Sequence, residues 1–407
     1  MKKITFAILI LFPVFLNAQT AKEFPELKGK YLGQKTPDRA PEVFASGIVS
    51  DTSWAEHCQV AISPNGDEIF WSVYTSEYPK IDGTGNTEQL YYSKLENGVW
   101  TKPKIPDFTS NNKYGSNGGP VFSLDGKKLF FYQRKPSDKY MNYVEKKNGQ
   151  WTKDPISIGE PYNTKTGNVA TNWTPVFTKK GYAYKYNQQK RVILKYKYDE
   201  AQFSQPDTMR VHEDFTLSYN VYVAPDESYF IFSGYNYKGF GDLDLCICFK
   251  DSNGNWGYPI IMRDEINTKA RERFPVVSPD GKYLFFMRHT ETQDIFWIST
   301  KILKKYKKES IETMKNPPVF NAIFLKSEEL DKYLGVYSCS ELTRKITISK
   351  QENILKTQIA DRSPFTIECY DKDKFKYDRG MLKIEFIPDE NKLLLLSGSS
   401  IYEMKKQ

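Results

Sequence analysis

Residues 275–286 read PVVSPDGKYLFF. A short apolar run meets Pro279, Asp280 and Gly281, and a second apolar run follows. Pro presets φ at the first corner of a turn, Asp bonds back to the backbone, and Gly supplies the positive φ that closes it. The stretch is therefore a strand, a tight turn and a returning strand. Four other stretches share the form: VAISPNGDEIFW at 60–71, PVFSLDGKKLFFY at 120–132, PVFTKKGYAYKY at 175–186 and VYVAPDESYFIF at 221–232. The residue before each turn (Ser63, Ser123, Thr178, Ala224, Ser278) recurs at intervals of 60, 55, 46 and 54 residues.

Most copies carry a third strand, as in QLYYS at 89–93 and DIFWI at 294–298. A fourth follows a second recurring turn, in NGVW at 97–100, NGQW at 148–151 and NGNW at 253–256. Asn-Gly between apolar runs is a strong hairpin signal, and the Trp after it is expected to pack between neighbouring units. Four strands per unit at this period predict a β-propeller of about five blades. The fifth copy lacks the second turn, so the spare strand EVFASGIV at 42–49 is expected to close the ring and remove its open edges.

The SPDGK-L-F-F stretch at 278–286 and SLDGKKLFF at 123–131 resemble the TolB-like, WD40-like repeats of exported bacterial propellers. Lys179-Lys180-Gly181 departs most from that pattern. The resemblance spans roughly 40–305 and implies a fold more than a function, because such propellers serve as binding platforms, glycan-active domains and peptidase gates. Past Pro317-Pro318 the repeat ends. Leu330, Tyr333, Gly335 and Tyr337 fit L-x-x-Y-x-G-x-Y, which is similar to the opening of the small β domain that follows the catalytic domain of penicillin-binding-protein-like serine hydrolases. The catalytic part of those enzymes is missing: Ser110-Asn111-Asn112-Lys113 fits S-x-x-K only as a string in an inter-blade loop.

The chain thus reads as all-β, a propeller of about five blades followed by a small antiparallel β-barrel-like domain. Its expected segments are a signal peptide at 1–18, an N-terminal extension at 19–39, the propeller at 40–305, a linker at 306–327 and the C-terminal domain at 328–407. Lys2 and Lys3 precede an apolar stretch at 4–16 and a small residue, Ala18, at the cut, which predicts export to the periplasm or beyond the cell. No later stretch approaches the ~20 apolar residues of a membrane span. A formal charge of +8 is dispersed, so no nucleic-acid partner is expected, and the Lys-rich run at 301–308 reads as a solvated helix. The five cysteines leave at least one thiol unpaired; Cys246 and Cys248 share a strand face in the core, while Cys339 and Cys369 could pair.

Only three histidines occur, His57, His212 and His289, without zinc-site spacing, so no metal and no cofactor are expected. No G-x-S-x-G elbow or phosphate loop is present. Asp242 and Asp244 read as a solvated turn. The candidate site comes from comparing the blades. Six residues before each turn marker stand His57, Asn117, Asn172, Ser218 and Glu272, all polar; Trp173, Tyr219 and Arg273 stand beside them. On converging inner strands they would form a polar ring over an apolar floor, suited to a protein, peptide or glycan ligand of a monomeric binding protein. The alternative is a glycan-active hydrolase or lyase using Glu272 and His57. A regulatory partner of a cell-wall hydrolase is a third, weaker reading.

Overall fold

The computed structural model describes residues 24–79, 86–112, 115–134, 139–158, 174–188, 190–199, 202–397 and 400–407. Five antiparallel sheets form the blades, and each inner strand is one of the repeated stretches: Ala55–Ile62, Ser116–Phe122, Val176–Phe177, Thr216–Val223 and Arg271–Val277. The turn chemistry acts as expected. Ser63 Oγ accepts the Glu68 amide at 2.9 Å, Ser123 Oγ the Lys128 amide at 2.9 Å and Ser278 Oγ the Tyr283 amide at 3.0 Å, while Gly66, Gly126 and Gly281 take positive φ.

Aromatic seams hold the blades together. Phe70 and Phe122 meet Trp151 between blades one and two, and Phe130 meets Phe177 between blades two and three at a centroid distance of 4.7 Å. Trp151 thus packs between blades, as its position in the repeat predicted. Trp100 does not. Its indole donates to Gly29 O at 2.7 Å, beneath the N-terminal segment, whose Tyr31 then packs on Tyr283 and Trp297 of blade five.

The ring closes where expected, with a shorter strand. Glu42 and Val43 pair with Trp297 and Phe296, and Phe44 N donates to Ile295 O at 2.7 Å. Residues 44–50 then fold into turns, because left-handed Ala45 and Gly47 bend the chain and bury Phe44, Ala45 and Val49 completely. The Lys-rich run enters the helix Lys304–Lys315, whose Tyr306 and Ser310 are buried against blade four: Ser310 Oγ donates to Tyr258 O at 2.8 Å. No helix among the described residues is long and apolar enough to cross a membrane.

Eight strands from Gly335–Ser338 to Ser400–Lys406 form a closed barrel, with Tyr337 pairing Lys406 at the seam. Leu330, Tyr333 and Tyr337 of the L-x-x-Y-x-G-x-Y motif are buried in its core, and Tyr337 Oη donates to Tyr333 O at 2.9 Å. Gly335 takes φ 146°, a conformation that L side chains rarely adopt. Cys339 and Cys369 are both free thiols, and Cys369 Sγ donates to Asp371 O at 3.2 Å. The barrel docks on the propeller through Arg191–Asp378 at 2.8 Å, and through Lys383 Nζ, which donates to Gly239 O at 3.0 Å.

Candidate functional site

The inner strands are not regular. Their pairing shifts between His57 and Ala61, Gly118 and Val121, Ser218 and Val221, and Arg273 and Val276. A left-handed residue sits in each irregularity: Cys58, Gly119, Tyr219 and Phe274, at φ between 56 and 66°. Such bulges insert unpaired residues and re-aim side chains. Blades one and four insert one residue more than blades two and five, so the last paired residues before the bulge are His57, Gly118, Ser218 and Arg273. Counting back from the turn therefore overshoots by one in blades two and five, at Asn117 and Glu272.

Those two residues are fully buried in contacts of their own. Asn117 is fully buried in a chain of amides, donating to Gln89 Oε1 at 3.2 Å and accepting from Gln133 Nε2 at 3.0 Å. Glu272 is fully buried and accepts from Arg288 Nε at 2.7 Å and from Thr268 Oγ1 at 2.7 Å. Desolvation raises its carboxyl above the usual value, against the pull of Thr268 and Arg288. Asn172 and Trp173 lie outside the described residues. His57, Tyr219 and Arg273 do come together, around Phe274: its ring meets His57 at 5.3 Å and Tyr219 at 5.5 Å, and the Arg273 guanidinium lies 5.3 Å from it. Ser218 stands half-buried beside them. Arg273 is itself held, by Gln293 Oε1 and over the Tyr219 ring. Asp242 is no solvated turn, because Arg271 Nε donates to it at 2.6 Å.

Two features went unread in the sequence. The first lies four residues before the turn markers, where Gln59, Thr174 and Asn220 form a belt across the channel. Gln59 Nε2 donates to Thr174 Oγ1 at 3.1 Å and to Pro120 O at 3.3 Å, while its Oε1 accepts from Asn220 Nδ2 at 3.4 Å. Polar residues inside otherwise apolar strands were the available signal. On the turn side of this belt opens a cavity of ≈ 450 Å³. Ala61, Val121, Val176, Tyr222 and Val276, two before each marker, all line it, and Pro64, Leu124, Lys179, Asp226 and Pro279 stand at its mouth. This cavity is thus at the turn face, whereas the described members of the rim expected from the sequence are held in contacts of their own.

The second feature lies on the other side of the belt. His57 Nδ1 is 2.8 Å from Glu88 Oε1 and 3.2 Å from Cys58 Sγ, which lies 3.5 Å from the same carboxylate oxygen. Tyr132 Oη donates to the other oxygen of Glu88. Gly118 makes room for the group, since a Cβ there would sit 2.1 Å from Glu88 Oε1. Desolvation would raise Glu88, but the adjoining His57 and the hydrogen bonds of His57, Tyr132 and Ser72 hold it below the usual carboxylate value. Burial pushes the Cys58 thiol well up, and Glu88 adds to the effect. Glu88 lies 30 residues beyond Cys58 on another strand, so no local spacing announces it.

No family model matches the chain, and no curated protein matches it. Solved structures similar to it include TolB from Acinetobacter baumannii, at 12% identity over 59% of this chain and 53% of that one, with a TM-score of 0.35. A putative TolB from Agrobacterium tumefaciens is 12% identical over 76% and 79%, with a TM-score of 0.36. The periplasmic gluconolactonase of Pseudomonas aeruginosa is 8% identical over 86% and 88%, with a TM-score of 0.33. The chain spans about half the length of the Acinetobacter protein.

Proposed function

We propose that this chain is an exported binding protein whose propeller channel receives an apolar segment of a partner polypeptide. The observation carrying the reading is the cavity of ≈ 450 Å³ at the turn face. Its size suits one or two apolar side chains or a chain terminus, and the charged and polar turn residues around its mouth would fix the orientation of what enters. Four of the five positions two before the turn markers are aliphatic, and Phe122, Phe177, Tyr222, Tyr229 and Phe285 line the same cavity. Apolar side chains of a peptide match such a lining. In the glycan-active reading Glu272 would have to act while bonded to Arg288 and Thr268, which counts against it. Export rests on Lys2, Lys3 and the apolar stretch at 4–16, and a periplasmic or secreted monomer is the corresponding working state.

The test is panning of the immobilised protein against a displayed library of random peptides. Peptides recovered by the native protein should bind the double variant Val176→Trp, Val276→Trp at least about tenfold more weakly, because two indoles fill a cavity of this size. Equal binding would move the site off the channel. Turnover of oligosaccharides that disappears in Glu272→Gln would instead support the glycan-active reading.

A further inference from the structure

We propose that His57, Cys58 and Glu88 form a binding site for a divalent transition-metal ion of the zinc class, a role separate from the peptide cavity on the other side of the Gln59 belt. The donors are an imidazole nitrogen, a thiol sulfur and a carboxylate oxygen, a set that suits Zn²⁺ and its neighbours rather than Mg²⁺ or Ca²⁺. All three ligand atoms lie within 4.8 Å of one another. Tetrahedral zinc at ordinary bond lengths sets such atoms about 3.4–3.6 Å apart. Here the separations are 3.2 Å for N to S, 3.5 Å for S to O and 2.8 Å for N to O. Sub-ångström adjustments would admit the ion.

The arrangement does not suit a nucleophilic relay. A Cys–His–carboxylate relay uses the two ring nitrogens separately, one for the thiol and one for the acid. Here the thiol and the carboxylate both converge on Nδ1. Convergence on one point is what coordination requires. The bulge produces it: on a regular strand His57 and Cys58 would point to opposite faces, and left-handed Cys58 turns both towards Glu88. Charge also balances. One thiolate and one carboxylate neutralise a divalent ion, so a buried complex carries no net charge, and the displaced thiol proton leaves to solvent. The outer shell is in place as well, with Tyr132 Oη on the second oxygen of Glu88 and Gly118 leaving room for the carboxylate. Three protein donors leave one position of the ion open.

The experiment strips the purified protein with a chelator and titrates it with Co²⁺, then with Zn²⁺. One Co²⁺ per chain should bind, with a near-ultraviolet thiolate-to-cobalt charge-transfer band that Zn²⁺ abolishes by displacement. The band should be missing in Cys58→Ala, a small change whose fold is checked by its metal-free melting curve. Glu88→Gln should weaken Zn²⁺ binding by more than about 100-fold, since even outer-shell partners are worth about 10–100-fold. Native protein that gives no charge-transfer band overturns the site without recourse to any variant. So does a band that survives Cys58→Ala, or Zn²⁺ affinity unchanged in Glu88→Gln.

Discussion

Gln59 of blade one donates from Nε2 to Oγ1 of Thr174, at the start of blade three, across the axis of the ring at 3.1 Å. The same side chain bonds Pro120 O of blade two and Asn220 of blade four, so one amide ties four blades together where the channel is closed. Gln59 is 7% exposed and its partners Thr174 and Asn220 are 6% exposed. Replacing it by Leu keeps the bulk but takes this partner from the buried Asn220 amide and the Pro120 carbonyl, while the Thr174 hydroxyl keeps its bond to Gly119 O. With each buried bond worth about 0.5–1.5 kcal/mol net, and orphaned partners costing more, Gln59→Leu should lower unfolding stability by about 2–4 kcal/mol. Denaturant titration measures this, and an unmoved midpoint would show that the belt adds nothing to ring stability.

Glu272 has a structural role that a channel residue would not have. Its carboxylate is completely buried against Arg288, whose Nη2 also donates to Ile266 O at 2.7 Å. Removing one partner of a buried pair leaves the other charge uncompensated, at a cost of about 3–5 kcal/mol. Glu272→Ala should therefore cut thermal stability severely, while binding of any channel peptide by the surviving folded fraction stays within twofold or so of native. A stable Glu272→Ala variant that fails to bind would restore the residue to the ligand site.

The repeat was legible because a turn needs particular chemistry at fixed places, and Ser278, Pro279, Asp280 and Gly281 state it openly. Blade number, ring closure by Glu42 and Val43, and the barrel opening at Tyr333, Gly335 and Tyr337 followed from such local rules. Site height was not legible. The inner strands carry bulges of unequal length, so a fixed offset from the turn lands on the last paired residue before the bulge at His57 and one residue beyond it at Glu272. Gln59, Thr174 and Asn220 share an offset nearer the turn, and Gln59 and Asn220 lie on the turn side of left-handed Cys58 and Tyr219. Glu88 belongs to the third strand of its blade and meets Cys58 only through the pairing of that sheet, which periodicity does not reveal.

Ring closure rests on one aromatic. Phe44 is fully buried, with its ring edge-on to Phe285 at 5.0 Å and to Trp297 at 5.2 Å. Truncating a buried Phe costs about 3–5 kcal/mol through lost transfer and the cavity left behind. Phe44→Ala should lower stability by that amount, and deletion of residues 40–50 by more, because the outer edge of blade five is then left unpaired. Calorimetry should show the propeller transition falling while the barrel transition stays in place. A deletion variant that melts like the native protein would mean that the ring holds without its clasp.

The contact between barrel and propeller should depend on pH through Asp244. This carboxyl is 2% exposed beneath the blade-four loop, accepts the Gly241 amide at 3.3 Å and lies beside Lys383 of the barrel. Desolvation pushes it up to about 7; Lys383 and the backbone amides of Gly241 and Phe240 oppose the shift, and the Glu272 carboxylate adds to it. Lys383 is pushed down by burial in turn, against the pull of Asp244 and Asp242, and its own dependence lies between that lowered value and the ordinary lysine value. The unfolded chain releases the Asp244 proton near pH 4 and the folded chain near pH 7. Between those values the folded state holds more protons, so stability is greatest at the acid end and declines as pH rises, by at most about 1.4 kcal/mol per pH unit from this one group. Asp244→Asn cannot ionise and should lose the decline, gaining on the native protein from pH 5 to about pH 7 and levelling off above it. Melting curves of the two proteins that run parallel across that range would show that Asp244 is ionised in the fold and that Lys383 holds it so.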